Sequence, residues 1–218
     1  MKSRYETQNH WFQLPASNGL NLEKIQSYLS NKAWVDYSEY GHDFNGYSGI
    51  GLTSRSKSSE HINDSVKVPQ SVGTFQKELE NYNWQAISAW NENVSDYMKD
   101  LFERLNLKPL RARFSKIEPR STVPRHIDDY SENITRIHWP VTTDEKNMFC
   151  FYSGDALVEK VHMEVGSCYA IDTSIPHAFF NFSKVTERIH LIINFPMSFS
   201  YFRLWIQKNE LFKKSSID

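Results

Sequence analysis

Apolar positions change their spacing about halfway along the chain. In the front half they recur at three- and four-residue intervals. Leu22, Ile25 and Leu29 predict a short helix after the Asn18-Gly19 turn, and Val94, Tyr97, Met98, Leu101, Phe102 and Leu105 predict a clearer one over 94–105, stopped by Pro109. A weaker helical stretch covers 75–82. From Leu110 onward short β-branched and aromatic runs take over, cut by Ser153-Gly154-Asp155, Gly166 and the segment 172–176. These runs predict strands over 110–118, 134–141, 147–152, 156–162, 167–171, 178–182 and 187–194. The polar segment 54–65, SRSKSSEHINDS, predicts a surface loop. Many short strands behind leading helices predict an α+β, mainly β fold: a jelly-roll core with N-terminal helices packed on one face. At 218 residues the chain suits a single domain, with a helix-bearing front half over 1–108, a core over 109–200 and a C-terminal extension over 201–218.

Charge narrows the function classes. Lys+Arg 25 against Asp+Glu 26 leaves no basic excess of the kind a nucleic-acid partner needs, and no 18-residue apolar stretch or leader-like segment suggests a membrane partner. The expectation is a soluble, cytoplasmic protein. Nothing in the pattern sets an oligomeric state. Cys150 and Cys168 each sit in an apolar strand-like run and read as buried free thiols in a reducing compartment. In that setting the sequons at Asn63, Asn93, Asn133 and Asn181 carry no meaning.

The candidate chemistry begins at His126-Ile127-Asp128. In an extended segment the period of two puts His126 and Asp128 on one face and Ile127 on the other. Alone, such a pair is common by chance. His177, in a turn after the SCYAIDT run, supplies a third group. Two imidazoles and one carboxylate on one side of a metal leave open positions, as iron(II) oxygenases require; tetrahedral zinc is the competing occupant, and the lack of nearby cysteine favours iron. Two further pairs, Arg136-Ile137-His138 and Arg188-Ile189-His190, each put Arg and His on one strand face. Polar groups facing a small barrel's interior are costly unless they bind something, and Arg suits a carboxylate gripped through two hydrogen bonds.

The ordered pieces FSKIEPRSTVPRHID, RIHWPV and HAFFNFSKVTERIHLIIN, from Phe114 to Arg188 and on, resemble the aspartyl/asparaginyl β-hydroxylase family and its free-proline cis-hydroxylase relatives. The resemblance implies an Fe(II)- and 2-oxoglutarate-dependent dioxygenase on a double-stranded β-helix. It implies His126, Asp128 and His177 as metal ligands and Arg188 as partner of the far cosubstrate carboxylate. Ser115 would share that carboxylate, and Arg136 and His138 would also touch the cosubstrate. Asp128 completes the triad, which argues against a halogenase. The resemblance assigns no role to His190, which reads as a supporting or core histidine. Dioxygen would be the co-reactant, with succinate and carbon dioxide released and a small amino-acid-like substrate or an amino-acid side chain hydroxylated.

For the substrate pocket, Trp11, Trp34, Tyr37 and Tyr40 are candidate walls, or alternatively helix-packing residues, and Gly41, Gly46, Gly49 and Gly51 would give mobility. Arg120 and Arg125 are candidates for a substrate carboxylate, or surface charges. Two rival classes stand beside the oxygenase: a non-oxidative cupin-like metal enzyme such as an isomerase, and a non-catalytic metal-binding jelly roll.

Overall fold

A computed structural model describes residues 10–14, 21–37, 46–54, 65–66, 89–91, 94–104, 110–128 and 134–208, and structural statements refer to these. Strands β1 (Trp11–Gln13), β2 (Val35–Asp36), β3 (Tyr47–Gly51), β4 (Thr53–Ser54) and β5 (Ala89–Trp90) come from the front half. They share it with helices α1 (Leu22–Ser30) and α2 (Asp96–Arg104). Then follow β6 (Leu110–Ile117), β7 (Thr122–His126), β8 (Thr135–Thr142), β9 (Asn147–Ser153), β10 (Ala156–Val161), β11 (Tyr169–Ile171), β12 (His177–Asn181), β13 (Arg188–Phe195) and α3 (Phe199–Lys208).

Two antiparallel sheets result. The larger has the order β1-β11-β8-β13-β6-β3-β2 and the smaller β10-β9-β12-β7, while β4 and β5 pair separately. Alternation along β6, β8 and β13 divides the larger sheet into two unlike faces. Ala112, Phe114, Ile137, Trp139, Val141, Ile189, Leu191, Ile193 and Phe195 join Ile25 and Leu29 of α1, Met98 of α2 and Phe202 and Ile206 of α3 in one apolar cluster. The other face meets the small sheet across Ile117, Tyr169 and Ile171 on one side and Val123, Phe149, Phe151, Val161 and Phe179 on the other. The fold is thus the mainly β jelly roll the pattern predicts, with helices against one face.

The core strands fall within two residues of the expected bounds. Three differences are instructive. The front half is not only helical: β1, β2 and β3 extend the large sheet at both edges. β7 was hidden by its composition, TVPRH, because an edge strand exposing Thr122, Pro124 and Arg125 has little apolar signal. The C-terminal extension is partly a packed helix, buried through Phe199, Phe202 and Ile206. The weak helix at 75–82, the Asn18-Gly19 turn, Gly41 and Tyr40 lie outside the described residues, as does most of 54–65, although Ser54 and Ser65 are buried.

Local signals match the observed ends. Asn21 caps α1, its side chain accepting from the Lys24 N–H at 3.0 Å. Gly49 lies within β3, where a Cβ would meet the Tyr37 ring and the Phe114 carbonyl at 3.1 Å, so glycine there permits close approach rather than mobility. Trp34 packs against the outer cluster, and Trp11 meets Tyr169 between the sheets. Cys150 and Cys168 are buried free thiols. The Asn181 side chain is buried and donates to the carbonyls of Ile117, Glu118 and Thr186, tying β12 to its neighbours.

Candidate metal centre

His126 and His177 face each other across neighbouring strands. His177 is the first residue of β12 rather than part of the preceding turn, and it stands opposite His126, the last residue of β7. Between that pair and the next, β7 carries a bulge around Pro124, which cannot donate to the ladder. Such a bulge bends the strand end and re-aims the side chain beside it. Each imidazole is oriented by a backbone carbonyl two residues earlier: His126 Nδ1 lies 2.7 Å from Pro124 O, and His177 Nδ1 lies 2.8 Å from Ile175 O. The carbonyls accept from Nδ1–H, so in the neutral form of each ring the lone pair lies on Nε2. Asp128 is anchored by its N–H to Thr173 O, and Ile127 points outward, 54% exposed.

The three side chains converge. Asp128 Oδ1 is 3.8 Å from His126 Nε2, Asp128 Oδ2 is 3.8 Å from His177 Nε2, and the potential ligand atoms all lie within 4.8 Å of one another. Burial draws His177 down to about 4, against the pull of Asp128. Burial acts on Asp128 in the other direction, but Arg136, His177 and His126 outweigh it and hold its carboxyl well below the usual range. At neutral pH His177 therefore offers a neutral imidazole and Asp128 an ionised carboxylate, the protonation states a divalent cation requires. His177 Nε2 is buried and has no hydrogen-bond partner, so a metal fits where the protein leaves this lone pair unused.

The remaining expected residues line the large sheet's inner face. Arg136 forms an ion pair with Asp128 Oδ2, and its Nε donates to Asn194 Oδ1 at 3.1 Å. Arg188 donates from Nη2 to His190 Nδ1 at 3.0 Å and lies over the Phe179 ring at 4.7 Å. His138 is fully buried with neither ring nitrogen partnered, its ring packed among Phe149, Phe179 and His190. Burial, followed by nearby cationic and imidazole groups, pushes His138 and His190 well below the ordinary imidazole range. Ser115, on β6, is buried opposite His190. An interior this polar, with unused nitrogens on His138, His177 and His190, is built to receive polar guests.

Alternation also exposes residues that the motif reading passed over. Arg111 and Arg113 precede Ser115 at the same two-residue spacing and are buried with it. Burial and the neighbouring arginines Arg113 and Arg136 draw Arg111 down to about 9. Tyr37 is buried and stacks on Tyr47 at 4.0 Å between centroids; burial would raise Tyr47, but Arg113 and Ser115 hold it below its ordinary value. The R-x-R-x-S spacing in LRARFS was the available signal. Arg125, by contrast, is a surface group, bonded to Asp155 Oδ1 and Gly154 O at 2.8 Å and lying over Tyr152, and Arg120 is exposed.

The arrangement of two facing antiparallel sheets is shared with solved 2-oxoglutarate-binding proteins. HygX of Streptomyces hygroscopicus, solved with nickel and 2-oxoglutarate, superposes with a TM-score of 0.52 at 10% identity, covering 91% of this chain and 89% of that one. A second structure of HygX, which also holds hygromycin B, gives 0.51 at 10% identity over 90% and 88%. A 2OG-Fe(II) oxygenase family oxidoreductase from Burkholderia pseudomallei gives 0.48 at 11% identity over 87% and 86%. A search of curated proteins by sequence finds no match. The chain belongs to the aspartyl/asparaginyl β-hydroxylase family, whose profile matches residues 64–197, more than half its length.

Proposed function

We propose that this protein is an Fe(II)- and 2-oxoglutarate-dependent dioxygenase that hydroxylates a C–H bond of a small amino-acid-like substrate or an amino-acid side chain. The observation that carries the reading is the cluster itself: two imidazoles with Nδ1 committed to carbonyls and a carboxylate held ionised, all within 4.8 Å. His126, Asp128 and His177 would hold the metal. Bound iron would supply the dioxygen chemistry that converts 2-oxoglutarate to succinate and carbon dioxide while the substrate is hydroxylated.

The chain's own residues have defined tasks in this reading. Arg188, with Ser115 beside it on β6, grips the far carboxylate of 2-oxoglutarate. Arg136 holds Asp128 in place and, with His138, lies within the cosubstrate's path. His138 and His190 present unused ring nitrogens to polar groups that arrive with the ligand. Phe149, Phe151 and Phe179 form an aromatic wall that excludes bulk water, and Phe149 stacks on His177 with 5.2 Å between centroids. This wall fixes the imidazole's plane as the carbonyl of Ile175 fixes its tautomer. The whole chain acts as one domain on a small partner, in the cytoplasm, without nucleic acid or membrane.

An anaerobic titration with iron(II) and 2-oxoglutarate tests the assignment through the visible charge-transfer band of the chelate. The band is expected in the wild type, weakened in Arg188→Ala and lost in His177→Ala. Dioxygen-dependent succinate release then follows substrate. Iron binding with no band overturns the cosubstrate reading in favour of a non-oxidative metal enzyme on the same fold.

A further inference from the structure

Two buried arginines of the inner face are held by partners of different kinds. Arg136 is paired with the Asp128 carboxylate and gives its Nε to Asn194. Arg188 is equally buried, but among the described residues its head meets one hydrogen-bond acceptor, His190 Nδ1 at 3.0 Å, and one ring face, Phe179 at 4.7 Å. Neither carries a negative charge. The Arg188 guanidinium is therefore given a direction without being neutralised.

The chemistry of the bond fixes the state of the imidazole. A guanidinium N–H can only donate, so His190 Nδ1 must accept, and the proton of the neutral ring lies on Nε2. Burial, then Arg188 and His162, hold His190 well below the ordinary imidazole range, so the accepting nitrogen is available at neutral pH. The Nε2 atom is buried and has no hydrogen-bond partner. Such an orphan donor is a cost that an apolar side chain would not carry. What the imidazole adds at this position is the nitrogen that faces Arg188.

The neighbouring strands aim the ring. His190 stands opposite Ser115 on β6 and Pro140 on β8. Proline cannot donate to the ladder, and here one step of β13, Ile189 to His190, spans two steps of β8, Thr142 to Pro140. A bulge of this kind re-aims the side chain beside it. The His138 ring then lies edge-on to His190 with 5.6 Å between centroids. A carboxylate in place of the imidazole would also orient Arg188, but it would cancel the charge and compete with an incoming acid. A neutral acceptor supplies direction alone, and an arginine already ordered loses less freedom when its ligand arrives.

We propose that His190 is a positioning residue that acts through Arg188, presenting its guanidinium in the direction that grips the far carboxylate of 2-oxoglutarate. The inference rests on the oxygenase reading above. It adds the residue that sets the preference for a cosubstrate with two carboxylates.

The test uses full-length protein loaded anaerobically with iron(II). It is titrated by calorimetry and by the visible chelate band with 2-oxoglutarate and with 2-oxopentanoate, which has the same chain but ends in a methyl group. The wild type is expected to favour 2-oxoglutarate strongly. His190→Leu should weaken 2-oxoglutarate tenfold or more and leave 2-oxopentanoate within about threefold. His190→Asn, whose Oδ1 can accept in place of Nδ1, should recover part of the loss. In an Arg188→Ala background, His190→Leu should change 2-oxoglutarate affinity no further, because the two residues act as one unit. If His190→Leu does not fold, His190→Phe takes its place, keeping a ring without the acceptor. Equal weakening of both acids would make His190 a structural residue and overturn the proposal. So would an undiminished preference, an asparagine no better than leucine, or losses that add in the double variant. A wild-type preference that survives His190→Leu sinks this inference alone. A wild type that forms no chelate, or binds both acids equally, sinks the cosubstrate reading and this inference with it.

Discussion

Alternate residues of the same three strands build the two faces of the large sheet, and the faces obey different rules. On the outer face, Ala112, Phe114, Ile137, Trp139, Leu191 and Ile193 pack against three helices, every group apolar and buried. On the inner face, beside Ile117 and Ile192, the alternate residues include Arg113, Ser115, Arg136, His138, His190 and Asn194, equally buried but rich in polar atoms without partners. Burial of apolar surface on one side stabilises the fold enough to tolerate a destabilising interior on the other. The comparison teaches that burial alone does not identify a core. What separates stability from function here is whether the buried groups are satisfied by the protein itself.

The sharpest way to break the contrast is to truncate the outer face. Phe114→Ala should cost about 3–5 kcal/mol of stability, read from denaturant melts, with 2-oxoglutarate affinity of the folded protein unchanged. A loss of affinity without a loss of stability would mean the two faces are not separable. Truncation on the inner face should act in the opposite sense. His138→Leu removes two buried nitrogens that have no partner and should stabilise the ligand-free protein by about 1–3 kcal/mol while weakening the 2-oxoglutarate chelate. A destabilised variant would place His138 in the structural core.

Acid sharpens the same contrast, because the buried imidazoles lie on the inner side. His177 is drawn down to about 4 from an ordinary 6.5, and His138 and His190 are also lowered. Below about pH 6.5 the unfolded chain therefore binds protons that the folded chain refuses. Stability should fall as pH drops from about 6.5 towards about 4, and His138→Leu should flatten that slope in melts across pH. The smallest effect is expected at Arg125→Ala. Its ion pair with Asp155 is exposed, so the loss should stay below about 1 kcal/mol in a denaturant melt, and 2-oxoglutarate affinity should not change. An arginine is costly to lose or to keep only where water is excluded.

Much of this was legible in the chain. Period-two alternation in LRARFSKI, TRIHWPVT and RIHLIINF marked three strands and placed each Arg-x-His pair on one face, because alternation is a property of the extended backbone and needs no partner. The same alternation could have admitted Arg111 and Arg113 to the site, since they share the spacing of Ser115. β7 was not legible: its residues are polar, it contains proline, and it owes its strand conformation to pairing with β12.

By itself, then, the sequence determined the local periods, the positions of α1 and α2, the family motifs and the identity of the side chains that share a face. Only the tertiary structure decided that His177 opens a strand directly opposite His126, that Arg136 rather than Arg188 pairs with Asp128, and that a bulge turns Arg111 inward. It also decided that Arg125 stays on the surface beside Asp155. The reason is physical. Which residues alternate is set within a few bonds, whereas which face is sealed from water, and which charges meet there, depends on strands far apart in the chain closing over one another.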